Sequence, residues 1–261
     1  MKTAIVSYSY EKNKECIKIV QDKLAEIEIN AIIGPNVDEI VKSCDVIITI
    51  GGDGTIIHTA KYAAKYQKPI LAINKGRIGF VAGIEISEID LLKKLKTQNY
   101  TKESRSMLEI NFEHNGEAKT KLALNDAVVS RKFNTNMLDI NVKSSNKNIV
   151  QYRADGLILS TATGSTAYSL SAGGPILDPT LKCLTLTPVC PHTLFSRPIV
   201  FGEKANLTLT VSKNAHLTVD GQVLCDLTQN DFLNVKLSKT SIELIELKKR
   251  DFYSVVVDKL S

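Results

Sequence analysis

The sequence has no tryptophan, and no apolar run approaches the roughly 20 residues that a membrane-spanning helix needs. The cysteines are odd in number and lack CxxC spacing; they are Cys16, Cys44, Cys183, Cys190 and Cys225. Such a set favours reduced thiols, and it lacks the grouped ligands of a structural zinc site. The N-terminal stretch does not have the pattern of a signal peptide. We therefore expect a soluble, cytoplasmic protein with no membrane partner and no metal site built from its own residues.

The charge is modest and spread along the chain. Lys and Arg number 33 against 28 Asp and Glu, a formal net charge of +5, without a basic block. This distribution argues against a nucleic-acid partner, and it weakly favours anionic small-molecule substrates. Neither the P-loop signature GxxxxGK(S/T) nor the dinucleotide signature GxGxxG occurs. A phosphoryl donor would therefore have to bind by another route.

The hydrophobic pattern divides the 261 residues into two parts. Over residues 1–100, short apolar runs alternate with stretches of helical spacing, which predicts an N-terminal α/β domain with a parallel sheet. Over residues 101–244, apolar and polar residues alternate, which predicts an all-β, sandwich-like C-terminal domain. We expect residues 245–261 to pack back on the first domain.

Three local patterns predict individual elements. Lys14–Ile27 has apolar residues at helical spacing and predicts a helix. Ser87–Asp90 has the form of a capping box that begins another helix, ending near Leu95. Asn115-Gly116 is a strong hairpin signal between two strands.

The most informative segment is the β-branched run 47–50, which leads directly into Gly51-Gly52-Asp53-Gly54-Thr55. A continuous apolar run predicts a buried parallel strand. Glycines let backbone N–H groups approach a phosphate, and the positive end of the next helix attracts the same anion. The predicted phosphate-binding residues are Gly51, Gly52, Gly54 and Thr55. Asp53 either caps the helix or performs chemistry, as a base or as a ligand of Mg²⁺.

Two further polar loops follow predicted strands. Residues 74–80, Asn-Lys-Gly-Arg-Ile-Gly-Phe, come directly after a short apolar run, where open parallel sheets bind ligands. Asn125-Asp126 places an amide and a carboxylate at the mouth of a strand, a pair suited to adenine edges or ribose hydroxyls. Each loop, read alone, fits an ordinary turn about as well.

The longest polar segment extends from Arg153 to Pro175. Residues 160–174 contain eight hydroxyl side chains and three glycines, which make a poor core and a good polar pocket. The proline-rich stretch 187–198 predicts a rigid loop, in which His192 and Arg197 are candidates to meet phosphate, although lone residues of these types are more often structural. Gln222 follows Asp220-Gly221 in a predicted hairpin turn and is a weak candidate.

Taken in order, these segments closely resemble those of the NAD kinases. The shared motifs are GGDGT (51–55), NxGxxGF (74–80), Asn-Asp (125–126), the segment 155–175 with TGSTAY (163–168), and PHTLxSRP (191–198). The match spans residues 45 to 225. The resemblance implies an α/β domain followed by a β-sandwich, and transfer of the γ-phosphoryl group of ATP, or of polyphosphate, to the adenosine-ribose 2′-hydroxyl of NAD. The product is NADP.

The resemblance also implies roles for individual residues, with Asp53 as the proton acceptor for that hydroxyl. The implied dinucleotide contacts are Asp53, Gly54, His58, Asn74, Phe80, Asn125, Asp126, Asn136, Arg153, Asp155, Thr163, Thr166, Ala167, Tyr168, Ser169, Leu170, Ser171 and Gln222. A divalent ion, Mg²⁺ in the first place, accompanies ATP, and the protein forms a homodimer or homotetramer. Ala162 departs from the proline that many members have, which should loosen the strand exit slightly without removing activity.

Two other functions fit some of these sequence motifs. Diacylglycerol and sphingosine kinases, like phosphofructokinases, share the GGDG motif, but a lipid kinase would need a membrane-binding surface rather than the TGSTAY pocket. A non-catalytic nucleotide-binding protein would be favoured by loss of the base, yet Asp53 is present. The choice between NAD and NADH as acceptor stays open at this point.

Overall fold

The computed structural model describes residues 1–76, 79–81, 83–114, 116–133, 136–249 and 251–260. The chain forms two compact units, one made of residues 1–105 and 241–261 and the other of residues 106–240. Each unit has its own hydrophobic core. No helix within the described ranges is both long enough and apolar enough to cross a bilayer.

The first unit alternates strands and helices. It begins with β1 (Lys2–Val6), α1 (Tyr10–Glu26), β2 (Asn30–Ile32), α2 (Val37–Lys42), β3 (Val46–Ile50), α3 (Asp53–Tyr66) and β4 (Ile70–Asn74). These are followed by β5 (Ile84–Glu85), a 3₁₀ helix (Ile86–Leu92) and α4 (Lys93–Lys96). The strands are parallel and lie in the order β2-β1-β3-β4, with β5 beside β4. The predicted parallel α/β domain is confirmed.

The strand order creates a ligand-binding edge. β3 and β4 are buried along their whole length, which explains their continuous apolar sequences, whereas β2 lies at the edge and is partly exposed. The chain moves from β1 outward to β2 and then returns past β1 to β3. The loops after β1 and β3 therefore lead away in opposite directions, and such a switch point is where open α/β sheets bind ligands.

The second unit is made of antiparallel strands, the first and last of which include residues assigned to the first unit. They are β6 (Thr101–His114), β7 (Glu117–Ala123), β8 (Asp126–Arg131), β9 (Leu138–Ser144), β10 (Lys147–Ala154) and β11 (Gly156–Thr161). A 3₁₀ helix (Thr163–Thr166) and α5 (Tyr168–Ser171) precede β12 (Cys183–Val189), β13 (Ile199–Gly202), β14 (Asn206–Val211), β15 (Ala215–Val219), β16 (Gln222–Leu227) and β17 (Phe232–Glu246). The last element is α6 (Phe252–Leu260), which belongs to the first unit.

Two antiparallel layers enclose the core of the second unit. Their strand orders are β10-β9-β14-β17 and β13-β12-β11-β8-β15-β16. Inward side chains of both layers, such as Leu209 of β14 and Leu157 of β11, share one cluster. The predicted β-sandwich is confirmed, and the alternation of apolar and polar residues follows from having one face of each strand in this core.

Two predicted helix starts need correction. α1 begins at Tyr10 rather than Lys14, because its first turn is polar and gives no apolar periodicity. The capping box lies two residues earlier than predicted, with Glu85 as the N-cap residue in place of Ser87, and it begins a 3₁₀ helix. The Glu88 carboxylate accepts the Glu85 N–H at 3.1 Å. The predicted spacing of three residues between the two capping side chains is right, but its position in the sequence is wrong by two residues.

The hairpin predicted at Asn115-Gly116 joins β6 to β7. His114 pairs with Glu117, so two residues make the connection. Gly116 has φ +75°, as two-residue hairpin turns require. Asn115 itself lies outside the described residues.

Candidate functional site

Asp53 is the first residue of α3, and a neighbouring loop holds its carboxylate. The Phe80 N–H donates to Oδ2 at 2.9 Å, and the Val81 N–H donates to Oδ1 at 3.3 Å. The N-cap is Gly52, whose carbonyl accepts the Thr55 N–H at 2.9 Å. Asp53 therefore does not cap α3, and its carboxylate is held in one orientation at the switch point of the sheet.

The Asp53 carboxylate fits in its position because Gly79 has no side chain. A Cβ added at Gly79 would lie 1.9 Å from the Asp53 Oδ1 atom, whereas a Cβ at Gly76, in the same loop, would meet no atom of the described residues within 4 Å. The motif NxGxxGF thus contains one glycine that must remain a glycine and one that tolerates a side chain. Two other residues of the motif, Arg77 and Ile78, lie outside the described residues.

The glycines of the turn itself differ in the same way. Gly51 has φ +151°, and a Cβ there would lie 2.3 Å from the Thr55 Oγ1 atom. Gly52 and Gly54 are exposed, and no heavy atom in the described part of the chain lies within 4 Å of a Cβ added at either. Their backbone N–H groups stand at the positive end of a 14-residue helix. This is an arrangement that binds phosphate groups.

Buried polar atoms without partners lie at the ends of the central strands. Asn74 ends β4 and is 1% exposed, and within the described ranges neither its amide nitrogen nor its amide oxygen has a hydrogen-bond partner. The Thr49 Oγ1 atom of β3 is likewise unpartnered there. An unsatisfied buried polar group costs about 1–3 kcal/mol. Such groups mark places where a ligand or water completes the bonding.

The loop after β1 is tied to β3 and α3. The buried Asn13 side chain donates to the Ser7 Oγ atom at 2.9 Å and to the Ile50 carbonyl at 3.3 Å. The Tyr8 hydroxyl donates to the His58 carbonyl at 3.2 Å, and the two rings meet edge to face at 5.3 Å between centroids. Sequence reasoning missed Asn13 and Tyr8, because single polar or aromatic residues near a helix start carry no motif signal.

In the second unit, Asp220 holds the Asn125-Asp126 loop. Its carboxylate accepts the N–H groups of Leu124 and Asn125, both at 2.8 Å, and that of Asp126 at 3.2 Å. Asp220 and Gly221 both have positive φ, +47° and +77°, typical of a two-residue hairpin turn. Sequence reasoning found the turn through Gln222 and missed Asp220, whose only signal is the Asp-Gly pair.

The side chains of Asn125 and Asp126 are buried, and burial changes the pKa of the carboxyl group. Burial, together with the negative charge of Asp220, raises the pKa of Asp126 from 3.8 to about 7. Asn125 is 8% exposed, and no described residue bonds to its Oδ1 atom. An amide and a carboxyl that is partly protonated at neutral pH can both donate and accept hydrogen bonds with ligand hydroxyls.

Asp126 should make the stability of the protein depend on pH. Because its pKa is higher in the folded protein than in the unfolded chain, stability falls as the pH rises from about 4 to about 7. We expect Asp126→Asn to remove this loss, so that its gain in Tm over the wild type is larger at about pH 8 than at about pH 5. Thermal melts followed by circular dichroism measure both gains. Equal gains at the two pH values would show that Asp126 does not titrate in this range.

The hydroxyl-rich segment 160–174 is less open than predicted. Five of its hydroxyls are bonded inside the second unit: Ser160 to Thr185, Thr161 to the Leu124 carbonyl, Ser165 to the Leu177 N–H, Thr166 to the Thr163 carbonyl and Ser169 to Thr187. Ser160 and Thr161 belong to β11, a central strand, so part of the segment is core. Among these buried hydroxyls, Thr163 differs because no described residue bonds to its Oγ1 atom.

A cavity of about 440 Å³ opens beside α5 in the second unit. Its walls include the half-exposed ring of Tyr168, the side chain of His216, and an ion pair in which Arg131 Nε lies 2.6 Å from Asp155 Oδ1. An aromatic face with a few convergent polar groups is typical of small-ligand sites. Sequence reasoning named Asp155 and Tyr168 but not Arg131 or His216, which come from separate strands.

The other predicted dinucleotide contacts of the second unit lie nearer to the surface. The exposed ones are Asn136, Arg153, Ser171 and Gln222, and the partly buried ones are Thr166, Ala167 and Leu170. Phe80, in the first unit, is partly buried, and the Lys259 Nζ atom of α6 lies 5.9 Å from the centre of its ring. The described residues contain no group of three or more His, Cys, Asp or Glu side chains that could hold a metal ion.

Two family models match the chain, one over each half. The model for the ATP-NAD kinase N-terminal domain matches residues 6–100, and the model for the ATP-NAD kinase C-terminal domain matches residues 124–247. An NAD kinase of Thermoanaerobacter pseudethanolicus is 37% identical over 265 residues, covering 96% of this chain and 94% of its own. An NAD kinase of Caldicellulosiruptor bescii is 36% identical over 263 residues, covering 98% and 97%.

Two crystal structures share the fold. Yeast NADH kinase complexed with NADH superposes with a TM-score of 0.91 at 23% identity, covering all of this chain and 87% of the yeast chain. An NAD kinase from Archaeoglobus fulgidus in complex with ATP superposes with a TM-score of 0.79 at 24% identity, covering all of this chain and 98% of the archaeal one.

Proposed function

We propose that this chain, which belongs to the NAD kinase family, transfers the γ-phosphoryl group of ATP to the adenosine-ribose 2′-hydroxyl of NAD and so forms NADP. The observation that carries the proposal is the Asp53 carboxylate. It is held by the Phe80 and Val81 N–H groups among glycines whose N–H groups suit phosphate. A carboxylate repels nearby phosphate groups, so its presence beside a phosphate site favours a chemical task, such as accepting a proton.

In the proposed reaction, Asp53 accepts the proton of the 2′-hydroxyl while that oxygen attacks the γ-phosphorus and ADP leaves. Each carboxylate oxygen receives one backbone N–H, which sets the orientation and leaves a further lone pair free for the substrate proton. The N–H groups of Gly52 and Gly54 would stabilise the charge on the phosphates, whereas those of Gly51 and Thr55, the other two predicted phosphate contacts, already donate to the Ile73 and Gly52 carbonyls. Positioning and electrostatics of this kind supply most of the catalysis in phosphoryl transfer.

NAD would be bound by the polar groups of the second unit. Asn125 and Asp126, held by Asp220, would bond to hydroxyl or base edges. The cavity beside Tyr168 and Asp155 would accept a ring of the dinucleotide. The unpartnered atoms of Asn125 and Thr163 support this assignment, because bound NAD would provide the partners that they lack.

A divalent ion, Mg²⁺ in the first place, would arrive with the donor. The described residues offer no cluster of carboxylates, and Asp53 already receives two N–H groups. Mg²⁺ typically keeps several waters and is bound through substrate phosphates with one or two carboxylates. When bound, it would neutralise charge on the transferred phosphate.

The experiment is an assay for NADP. The purified protein is incubated with ATP, Mg²⁺ and NAD, and an NADP-specific dehydrogenase reports the product. Formation of NADP supports the proposal. If no NADP forms with ATP or with polyphosphate, and no NADPH forms when NADH replaces NAD, while diacylglycerol or sphingosine is phosphorylated, the chain is a lipid kinase.

We further propose a homodimer or homotetramer in the cytoplasm, with residues 1–100 and 101–244 as its two domains. Exposed apolar side chains of the second unit support an assembly, since Phe133 is 90% exposed and Leu194 is fully exposed. All five cysteines are free, which suits a reducing compartment. Light scattering at micromolar concentration measures the mass, and a fully active monomer would contradict the assembly.

A further inference from the structure

Two carboxyl groups, those of Asp126 and Asp220, lie close together at the start of β8, and they differ in their hydrogen bonds. The Asp220 carboxylate accepts three N–H groups, from Leu124, Asn125 and Asp126. Within the described residues, no N–H or O–H group donates to the Asp126 carboxyl, although Asp126 is only 5% exposed. We call these two residues the carboxyl pair.

The hydrogen bonds determine which member of the carboxyl pair holds a proton. Two neighbouring carboxylates repel each other, which favours the state in which one of them is protonated. Three N–H groups stabilise negative charge on Asp220, whereas burial without a donor destabilises negative charge on Asp126. The proton of the pair is therefore on Asp126, whose pKa is raised to about 7.

Among the described residues of the second unit, Asp220 is the charged group that acts on the Asp126 carboxyl. β8 lies between β11 and β15. On the β11 side, Asp126 pairs with Ser160, which does not titrate, and on the β15 side its carbonyl accepts the Asp220 N–H at 3.0 Å. The charged side chains of the cavity beside α5 lie at the opposite end of β8; they are Arg131, Lys132, Asp155 and His216.

The backbone of the loop is already bonded within the protein, so its side chains are left for a ligand. The Leu124 carbonyl accepts the Thr161 hydroxyl at 2.6 Å, and the Asn125 carbonyl accepts the Thr161 N–H at 2.9 Å. The N–H groups donate to Asp220. The Asn125 Oδ1 atom, which no described residue bonds, can accept a hydrogen bond, and a neutral Asp126 carboxyl can donate one.

We propose that Asp126 binds the dinucleotide as a neutral carboxylic acid, which donates its proton to an oxygen or ring nitrogen of the ligand, and that Asp220 is the positioning residue that keeps it neutral. The identity of the ligand rests on the proposed function. An ionised carboxylate can only accept hydrogen bonds, so the two protonation states of Asp126 would recognise different atoms. NAD affinity would then depend on pH.

The affinity for NAD should fall as the pH rises through about 7. Below this pH Asp126 holds the proton that it donates, and above it binding must take a proton up. We expect calorimetry to give a Kd for NAD about tenfold higher at about pH 8 than at about pH 6 in the wild type. In Asp126→Asn, whose amide donates at either pH, the two Kd values should agree within about twofold.

Asp220→Asn tests the positioning role. The amide lacks the negative charge that favours a proton on Asp126, and a donor nitrogen replaces one acceptor oxygen. We expect NAD affinity to begin falling at a lower pH than in the wild type, and the Kd at about pH 7 to rise at least about threefold. The matched control is Asp231→Asn, which removes a carboxylate that accepts one N–H, from Thr228 at 2.7 Å, in the turn after β16. It should resemble the wild type at each pH.

Infrared spectroscopy locates the proton without any ligand. The difference between the spectra of the wild type and Asp126→Asn should contain the C=O band of a protonated carboxyl at about pH 6, and this band should be lost by about pH 8. Absence of the band at about pH 6 would overturn the proposal, even in a protein that makes NADP.

The binding results separate this proposal from the proposed function. NADP formation with a Kd for NAD that does not change with pH would overturn the neutral Asp126 and leave the proposed function standing. An equal rise in Kd at every pH in Asp220→Asn would overturn the positioning role, since a purely structural loss has that form. No NAD binding and no NADP in the wild type would overturn both. If Asp220→Asn does not fold, the wild type and Asp126→Asn still decide whether Asp126 binds as a neutral acid.

Discussion

Asp53→Asn is expected to lower kcat for NADP formation by about 10³-fold, within the range of about 10² to 10⁴ that positioned acids and bases contribute. The amide cannot take the proton of the attacking hydroxyl, yet its size and shape match those of the carboxylate. Its oxygen can still accept one of the two backbone N–H bonds from Phe80 and Val81. Steady-state kinetics measure kcat, and calorimetry measures the Kd for NAD, which should change less than about threefold because the lost interaction belongs to the transition state.

A comparison with Asp53→Ala separates the chemical role from the positional one. Alanine removes both the base and the acceptor for the two N–H groups, so the loop 79–81 loses its anchor. We expect a similar loss in kcat, with an added rise in the KM values. Near-normal turnover in Asp53→Asn would remove Asp53 from the role of base.

Gly79→Ala is the second substitution with a large expected effect. The new methyl group would lie within 2 Å of the Asp53 carboxylate, closer than any real contact, so the carboxylate must move. A displacement of about 1 Å at a reacting group can cost about 10²-fold in rate. We therefore expect kcat to fall about 10²-fold, because the displaced group is the proposed base.

Gly76→Ala is the matched control for this prediction. It lies three residues earlier in the same loop, and its added Cβ would meet no described residue within 4 Å. Its kcat should stay within about twofold of the wild type, since this methyl group would not displace the Asp53 carboxylate. Equal losses in both variants would mean that loop flexibility, rather than the position of Asp53, sets the rate.

The fold could be predicted because its two halves have different hydrophobic periods. The continuous apolar runs that became β3 and β4 are buried on both faces, and the alternation in the second half reflects one buried face for each strand. The first residues of the helices could be predicted less accurately. The first turn of α1 is polar, and the capping box near Glu85 could be read in two registers from its glutamates and serine.

Short motifs named only part of the candidate site. Asp53 and the Asn125-Asp126 pair were named from their local sequence, and so was Tyr168. The residues that hold or accompany them were not, since Asp220 lies 94 residues from Asp126 and Arg131 lies 24 residues from Asp155. Contacts across strands arise from register, which no local motif encodes. The hydroxyl-rich segment is less open than predicted for a related reason: five of its eight hydroxyls bond to neighbouring side chains or to the backbone within the second unit.

The most direct test of the account compares NAD with its analogue that lacks the adenosine-ribose 2′-hydroxyl. Each is incubated with the wild-type protein, ATP and Mg²⁺, and the products are identified by mass spectrometry. The account predicts that NAD gains one phosphoryl group and that the 2′-deoxy analogue gains none. A phosphorylated 2′-deoxy analogue would contradict it, because the acceptor would then be another hydroxyl and Asp53 could not be the base of the proposed reaction.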